Sequence, residues 1–489
     1  MSQSTPAGSR RLTWLTRPVG PPNVRRELLV LLLASLLLFS ANAQRQSLLS
    51  MDDAFYARIA VEAERSGRFF TMTWGDQPNF QKPPLQYWLV GRFFALFGER
   101  DLSARLPSIL MALGILAITY RIGVLTVGPA AALTGVAGLA LSPYFGDHAR
   151  RVMQEIPFGF WTALAMLTFL ESRQRPRLML LFALPLAAAL LTKSVLGLVP
   201  LLAVLTSAIV VPALRGTLKN RWTWVGITAG LALAATWTVV EGWRFGAGAL
   251  REHYLGEIGP RAVTSVNPLT FLLGYPWQLM DSYQPVIVPA VLGAFILCRN
   301  RAARGDTGLV LVVWALVPIL ALNFLRARTP RYIFPVFPAL ALCGGFWLAR
   351  VAPPIAAIFR RWIAPALLAI AAIILWTAPD VLTPLFQSAV DQNRDIKRSQ
   401  AFLKELIPAN ESVAFLGAQY WAKASPLLYY TERRLEPPAA TAVAAIERAA
   451  RRSSRLLLCD RTRLSEIDPK ATPYRIVFET SNWVLLKFL

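Results

Sequence analysis

Asp52-Asp53-Ala54-Phe55-Tyr56-Ala57, followed by Gln81-Lys82-Pro83-Pro84-Leu85-Gln86-Tyr87-Trp88, occupies the first long polar segment after a hydrophobic run. Together they put a carboxylate pair and a lysine beside a segment of membrane character. The rest of the chain supplies the membrane reading. Of 489 residues, 55% are hydrophobic and only 16% charged, with a mean hydropathy of +0.44. That is too apolar and too poor in charge for an ordinary soluble domain. The expected bulk is a helical polytopic membrane protein.

Windows of roughly 17 to 25 apolar residues, the length a helix needs to cross a bilayer, begin near residues 28, 106, 128, 157, 177, 195, 222, 284, 308, 332 and 363. They predict about 11 to 13 transmembrane helices within 28–380, after a cytoplasmic arm 1–27. Lys and Arg in short loops stay cytoplasmic. Arg25 and Arg26, Arg173 and Arg175, Arg215 and Lys219, Arg299, and Arg360 with Arg361 all fall on one side of the alternation. Segments 43–105, 146–156, 242–283 and 326–331, with the soluble tail 390–489, then fall outside. Much of the +23 net charge is therefore topogenic, which argues against a nucleic-acid partner. The run ending Ala41-Asn42-Ala43 imitates a cleavage site, but the alternation works with an uncleaved first span.

Cys298, Cys343 and Cys459 fall at a cytoplasmic helix end, inside a span and in the outer tail, so they form no disulfide framework. Two histidines, His148 and His253, exclude a His-rich metal cage. A mixed site built on His253 and Glu155 for a divalent metal stays open as a minor alternative.

The residues after Asp52 place Phe55, Ile59 and Ala63 on one face at helical spacing, which predicts a short amphipathic helix lying on the membrane. The plain structural reading of Asp52 is then an N-cap. A second amphipathic element begins at Leu85. Pro83 and Pro84 fix the backbone before it and hold the Lys82 ammonium in a defined place.

The run from Asp52 to about Leu110 resembles the first outer loop of polytopic GT-C glycosyltransferases, in the branch of the bacterial 4-amino-4-deoxyarabinose lipid A transferases and protein O-mannosyltransferases. The resemblance rests on the acidic pair, Tyr-Ala, Lys-Pro-Pro-Leu, Tyr-Trp and Ala104-Arg105-Leu106-Pro107-Ser108. It continues through His148-Ala149-Arg150 with Glu155-Ile156-Pro157, then Leu191-Thr192-Lys193, then Arg331-Tyr332 with Pro335 and Pro338. The family usually has Asp-Glu at Asp52-Asp53, arginine at Phe55, glutamate at Gln81, aspartate at Glu155 and glycine at Ser194.

The resemblance implies a GT-C fold in the bacterial inner membrane, acting as a monomer with its site facing the periplasm. It implies transfer, with inversion, of a sugar from a polyprenyl-phosphate donor to a lipid or glycan acceptor. Asp52, Glu155 and Lys82 are the implied catalytic groups. Lys82, Lys193, Arg331 and Tyr332 are the implied contacts to the donor phosphate, and Asp53, Tyr56, Tyr87, His148 and Arg150 the contacts to acceptor or sugar. The chemistry is consistent: cations help a phosphate depart, Arg suits a two-pronged phosphate contact, and a carboxylate can take a hydroxyl proton. Lys193 also reads as a side chain snorkelling at a span end, and His148 and Arg150 as interfacial charges.

Segment 242–283 is expected to form a flap over the lipid entrance. Beyond residue 395, helical stretches alternate with strands at 412–416, 455–459, 475–478 and 483–488, which predicts a small α/β domain that contacts the acceptor or packs on the outer loops. A lipid or sugar transporter is the main rival, and a non-catalytic lipid-binding scaffold the second.

Overall fold

In a bilayer every backbone polar group must be bonded within the chain, so apolar runs are forced into helices. The computed structural model describes residues 23–489, apart from 49–51, 252, 255–267, 285, 301, 303–304, 324–328, 387–390, 392, 419 and 481–482. Most of the N-terminal arm, the centre of the expected flap and residues 326–328 of the last outer loop thus lie outside the described residues. The chain runs α1 (Val24–Ser40), α2 (Asp52–Ser66), α3 (Leu85–Phe97), α4 (Asp101–Thr126), α5 (Pro129–Leu141), α6 (Pro143–Ala149), α7 (Glu155–Glu171), α8 (Ala183–Lys193), α9 (Val199–Val210) and α10 (Arg221–Phe245). It continues through α11 (Pro268–Ser282), α12 (Ile287–Arg299), α13 (Leu309–Leu322), α14 (Phe337–Val351) and α15 (Ala364–Thr377).

Among the described residues, five stretches are long and apolar enough to cross a membrane: Asp101–Thr126, Pro176–Val210, Arg221–Phe245, Phe334–Val351 and Pro353–Thr377. Helices α5, α12 and α13 are shorter and apolar. Bundle packing uses missing side chains, as lipid-embedded helices do when backbones approach closely. A Cβ on Gly345 of α14 would lie 2.3 Å from the backbone nitrogen of Gly135 on α5. On the side assigned as cytoplasmic, Glu27 of α1 is buried between Arg360 (2.8 Å) and Arg361 (2.6 Å) just before α15.

Two sequence expectations need correction. Helix α2 does not lie on the membrane: Asp53 to Ala57 and Ile59 to Ala63 are all buried, and it packs between α3 and a helix of the C-terminal domain. Its apolar stripe is covered by α3 and nearby residues such as Met72 on one side and by the C-terminal domain on the other. Nor is 242–283 loop throughout, because α10 extends to Phe245 and α11 fills 268–282. The apolar run in α11 is short and interrupted by Pro276, so a span-length window passes over it.

The C-terminal domain carries the five-stranded sheet. Its strands are β1 (Ser412–Leu416), β2 (Arg434–Leu435), β3 (Leu456–Asp460), β4 (Tyr474–Glu479) and β5 (Trp483–Phe488), in the order β2-β1-β3-β5-β4. The first three are parallel and the last two antiparallel to their neighbours. The helix Tyr420–Thr431 links β1 to β2 and rests on α2. Its Tyr430 hydroxyl accepts the Leu48 N–H at 2.7 Å and donates to Asp101 at 3.0 Å, while Lys397 pairs with the same carboxylate at 2.7 Å. The domain is thereby fastened to both ends of the first outer segment, and it fixes the helix that carries Asp52.

The assigned orientation gives a direct check. A cysteine at Arg68 or Lys470, both exposed, in a background lacking Cys298, should react with an impermeant thiol reagent in intact spheroplasts. Reaction only after lysis would reverse the orientation.

Candidate active site

Four segments far apart in sequence converge, three of them outside the span-length stretches and one at the break within Pro176–Val210. Asp52 stands in the first turn of α2, where free N–H groups and the helix dipole favour a carboxylate. Glu155 has the same place on α7. Lys193 ends α8, where the chain breaks: Ser194 takes φ +51°, a left-handed value that stops the helix and turns Lys193 inward. Arg331 lies in the short helical turn Pro330–Tyr332.

Arg331 Nη1 donates to Asp52 Oδ2 at 2.7 Å. Lys193 Nζ donates to Glu155 Oε1 at 2.8 Å and to the Arg331 carbonyl at 3.4 Å, so the two ion pairs are joined through one peptide group. The Lys193 ammonium also lies 5.4 Å from the Phe158 ring and 5.6 Å from that of Tyr332. Burial alone would lower the Arg331 pKa, but Glu155 and Asp52 outweigh it and hold the guanidinium charged. Its side chain stays 41% exposed and that of Asp52 24%, whereas Lys193 and Glu155 are 9% and 5% exposed. The cluster thus has an accessible pair at its mouth and a buried pair behind.

Lys193 is therefore not a snorkelling side chain. Removing one partner of a buried pair leaves an uncompensated charge and costs about 3–5 kcal/mol. Lys193→Ala should lower the thermal midpoint in detergent, and Lys193→Met combined with Glu155→Gln should recover most of the loss. An unchanged midpoint for Lys193→Ala would return the residue to the lipid.

The remaining sequence candidates divide. His148, in the last turn of α6, is buried beside the cluster, with Nδ1 2.9 Å from the Tyr144 carbonyl and its ring against Tyr144 and Phe334. Burial brings its pKa down to about 4. Tyr56 is buried with its ring 5.6 Å from that of Tyr87; burial, then the neighbouring Tyr87, Asp52 and Glu155, raise its hydroxyl well above the usual value. Tyr87 is wholly buried, with its ring packed in the cluster of α2 and α3 side chains.

Two expected contacts are taken up by structure. Arg150 turns away from the cluster, donating to the Leu38 carbonyl at 2.7 Å and to Gln46 at 3.2 Å. It stitches α6 to the end of α1. Asp53 is buried under Arg151 (3.4 Å) and accepts the Val152 N–H at 2.6 Å. Burial pushes its carboxyl above the ordinary value against the pull of Arg151. Sequence reading passed over Arg151, and only its place directly after Arg150 hinted that one of the two would face the acidic pair.

Lys82 is half-buried just before Pro83, which lines an apolar groove of about 280 Å³ between α8 and α10, with Leu190, Leu198, Trp237 and Tyr254 among its walls. His253 closes one side. Its Nδ1 meets the Phe80 carbonyl at 2.7 Å and its Nε2 the Ser194 hydroxyl at 2.9 Å. With both His253 ring nitrogens engaged, the pair of His253 and Glu155 does not fit a divalent cation. Among the described residues no three His, Cys, Asp or Glu side chains come together as a metal site.

Residues 81–239 match the sequence profile of the dolichyl-phosphate-mannose-protein mannosyltransferase family. An uncharacterized protein of Aquifex aeolicus is 25% identical over 327 residues, covering 65% of this chain and 63% of its own. An undecaprenyl phosphate-alpha-4-amino-4-deoxy-L-arabinose arabinosyl transferase of Pseudomonas savastanoi is 24% identical, covering 60% of this chain and 55% of its own. The chain thus aligns with less than two thirds of the length of these relatives. In structure it superposes on ArnT from Cupriavidus metallidurans bound to undecaprenyl phosphate with a TM-score of 0.72 at 15% identity, over 94% of this chain and 97% of that one. An Archaeoglobus fulgidus oligosaccharyltransferase gives 0.51 at 12% identity, over 90% and 70%. The fold is the one these membrane glycosyltransferases share.

Proposed function

We propose that this chain is a GT-C membrane glycosyltransferase that moves a sugar from a polyprenyl-phosphate donor to an envelope acceptor, with inversion, at the periplasmic face of the bacterial inner membrane. The observation that carries the reading is the cluster of Asp52, Arg331, Lys193 and Glu155 near an apolar groove whose wall begins at Pro83, one residue after Lys82. A prenyl chain needs an apolar wall, and its phosphate needs cations at one end of that wall. The relatives' names fit the reading: one is an undecaprenyl-phosphate arabinosyl transferase, and the superposed ArnT holds undecaprenyl phosphate.

The acceptor oxygen attacks the anomeric carbon on the face away from the phosphate. As that bond forms, the bond from carbon to phosphate oxygen breaks and its electron pair stays on the phosphate. Arg331 has five N–H donors, of which Asp52 uses one. The rest, with Lys82, meet the growing negative charge. Asp52 orients a hydroxyl acceptor and takes its proton. If the acceptor is itself a phosphate, as in lipid A, little base is needed. Lys193 and Glu155 hold the floor of the site.

The transporter reading places its charged groups near mid-bilayer, whereas Asp52, Glu155 and Arg331 stand at helix termini or in a short turn outside the stretches long enough to cross, and only Lys193 lies within one, at its break. Purified protein given a polyprenyl-phosphate sugar with labelled sugar should pass label to envelope lipid or glycan. Movement of the intact donor across a vesicle membrane without transfer would favour a transporter, and binding alone a scaffold.

A further inference from the structure

Two buried polar atoms in and beside the cluster have no hydrogen-bond partner among the described residues: His148 Nε2 and Glu155 Oε2. Their side chains are only 3% and 5% exposed. Unsatisfied polar atoms this deep are uncommon, and each calls for a partner. Their surroundings specify which kind.

The Tyr144 carbonyl, 2.9 Å from His148 Nδ1, can only accept, so Nδ1 carries the proton and Nε2 presents a lone pair. With its pKa near 4, the ring is neutral at ordinary pH and cannot donate from Nε2. The ring is wedged at a tilt against Tyr144, with centroids 4.2 Å apart, and Phe334, 5.5 Å away, and this packing fixes the direction of that lone pair. Glu155 spends Oε1 on Lys193 and leaves Oε2 as a second acceptor. The two residues stand on α6 and α7, consecutive helices that pack on each other, His148 near the end of one and Glu155 at the start of the next. Both atoms therefore lack a hydrogen donor, and neither lacks an acceptor.

We propose that His148 Nε2 and Glu155 Oε2 form an acceptor pair that reads two hydroxyl hydrogens of the transferred sugar, and that the sugar is uncharged at these positions. The inference rests on the glycosyl-transfer reading above. An ammonium would satisfy the same acceptors, but Glu155 already carries the Lys193 ammonium and also interacts with Arg331. A third cation a few ångströms away would meet strong repulsion in this buried place. A hydroxyl meets none. The pair thus selects a neutral pentose or hexose over an amino sugar at the positions it contacts.

The test uses the full chain in lipid nanodiscs and a panel of synthetic polyprenyl-phosphate pentoses and hexoses, each with its single-deoxy and single-amino analogues. Wild-type protein should process at least one deoxy analogue roughly 10- to 100-fold less efficiently in kcat/KM, the usual size for an unpaired buried group, and the matching amino analogue no better. His148→Phe keeps the ring packing but removes the lone pair, and should erase discrimination at one position. If it leaves the deoxy pattern unchanged, or if no deoxy position matters in the wild type, water alone fills the acceptors and the proposal fails. Preference for an amino sugar at those positions overturns it equally. Should no parent donor be transferred at all, the glycosyl-transfer reading itself falls, an outcome distinct from transfer without discrimination.

Discussion

Asp52→Asn is expected to lower transfer by roughly 10²- to 10⁴-fold, the usual contribution of a positioned general base, while the protein accumulates, melts normally and binds donor lipid. The separation of chemistry from folding follows from exposure. Asp52 and Arg331 are 24% and 41% exposed, and an ion pair so open to water contributes at most about 1 kcal/mol to stability. Asparagine keeps the size of the side chain and is well tolerated at a helix N-terminus, so α2 should keep its place. What it loses is the charge and the ability to take a proton. The measurement is initial rate at saturating donor and acceptor. Activity within about tenfold of wild type, some 1.4 kcal/mol of barrier, would reduce Asp52 to a residue that stabilises the first turn of α2.

Composition and window length made the helices legible, because a bilayer leaves an apolar run few alternatives. The GT-C reading came from ordered motifs rather than from any single residue. Asp52, Glu155, Lys193 and Arg331 were each legible as members of those motifs, although Asp52 also read as an N-cap and Lys193 as a snorkelling side chain. Their pairing was not. Arg331 meets Asp52 across 279 residues, and Lys193 meets Glu155 across 38. No local spacing encodes contacts made by folding remote helix ends together.

The misreadings have a common cause. The period of α2 announces an apolar stripe but not what covers it, and the cover is protein, α3 together with the helix Tyr420–Thr431, where the reading expected lipid. Arg150 and Arg151 are neighbours in sequence, yet at the end of α6 one turns toward Leu38 and the other toward Asp53. Adjacent residues on a helical turn point in different directions, so a motif locates a segment more surely than it locates a side chain. The unsatisfied atoms of His148 and Glu155 are a property of the packed site alone.

Arg331→Ala and Lys82→Ala should each lower the transfer rate by on the order of 10² or more, by analogy with removing one preorganised donor from a site where negative charge develops. The loss should fall mainly on kcat, because the phosphate gains charge only as its bond to the sugar breaks. Arg331→Lys should restore little. A lysine can reach either the phosphate or Asp52, whereas the guanidinium spends Nη1 on Asp52 and keeps further donors in a fixed plane. Coupling supplies a sharper check. If Asp52 and Arg331 act as one unit, the Asp52→Asn and Arg331→Ala losses will not add in the double variant, since contacting residues share their interaction energy. Fully additive losses would mean that the pair seen in the structure separates before chemistry, Asp52 turning to the acceptor and Arg331 to the phosphate. Losses confined to donor affinity, with turnover intact at saturation, would make Arg331 and Lys82 docking groups and shift activation of the leaving phosphate to Lys193, the remaining cation of the cluster.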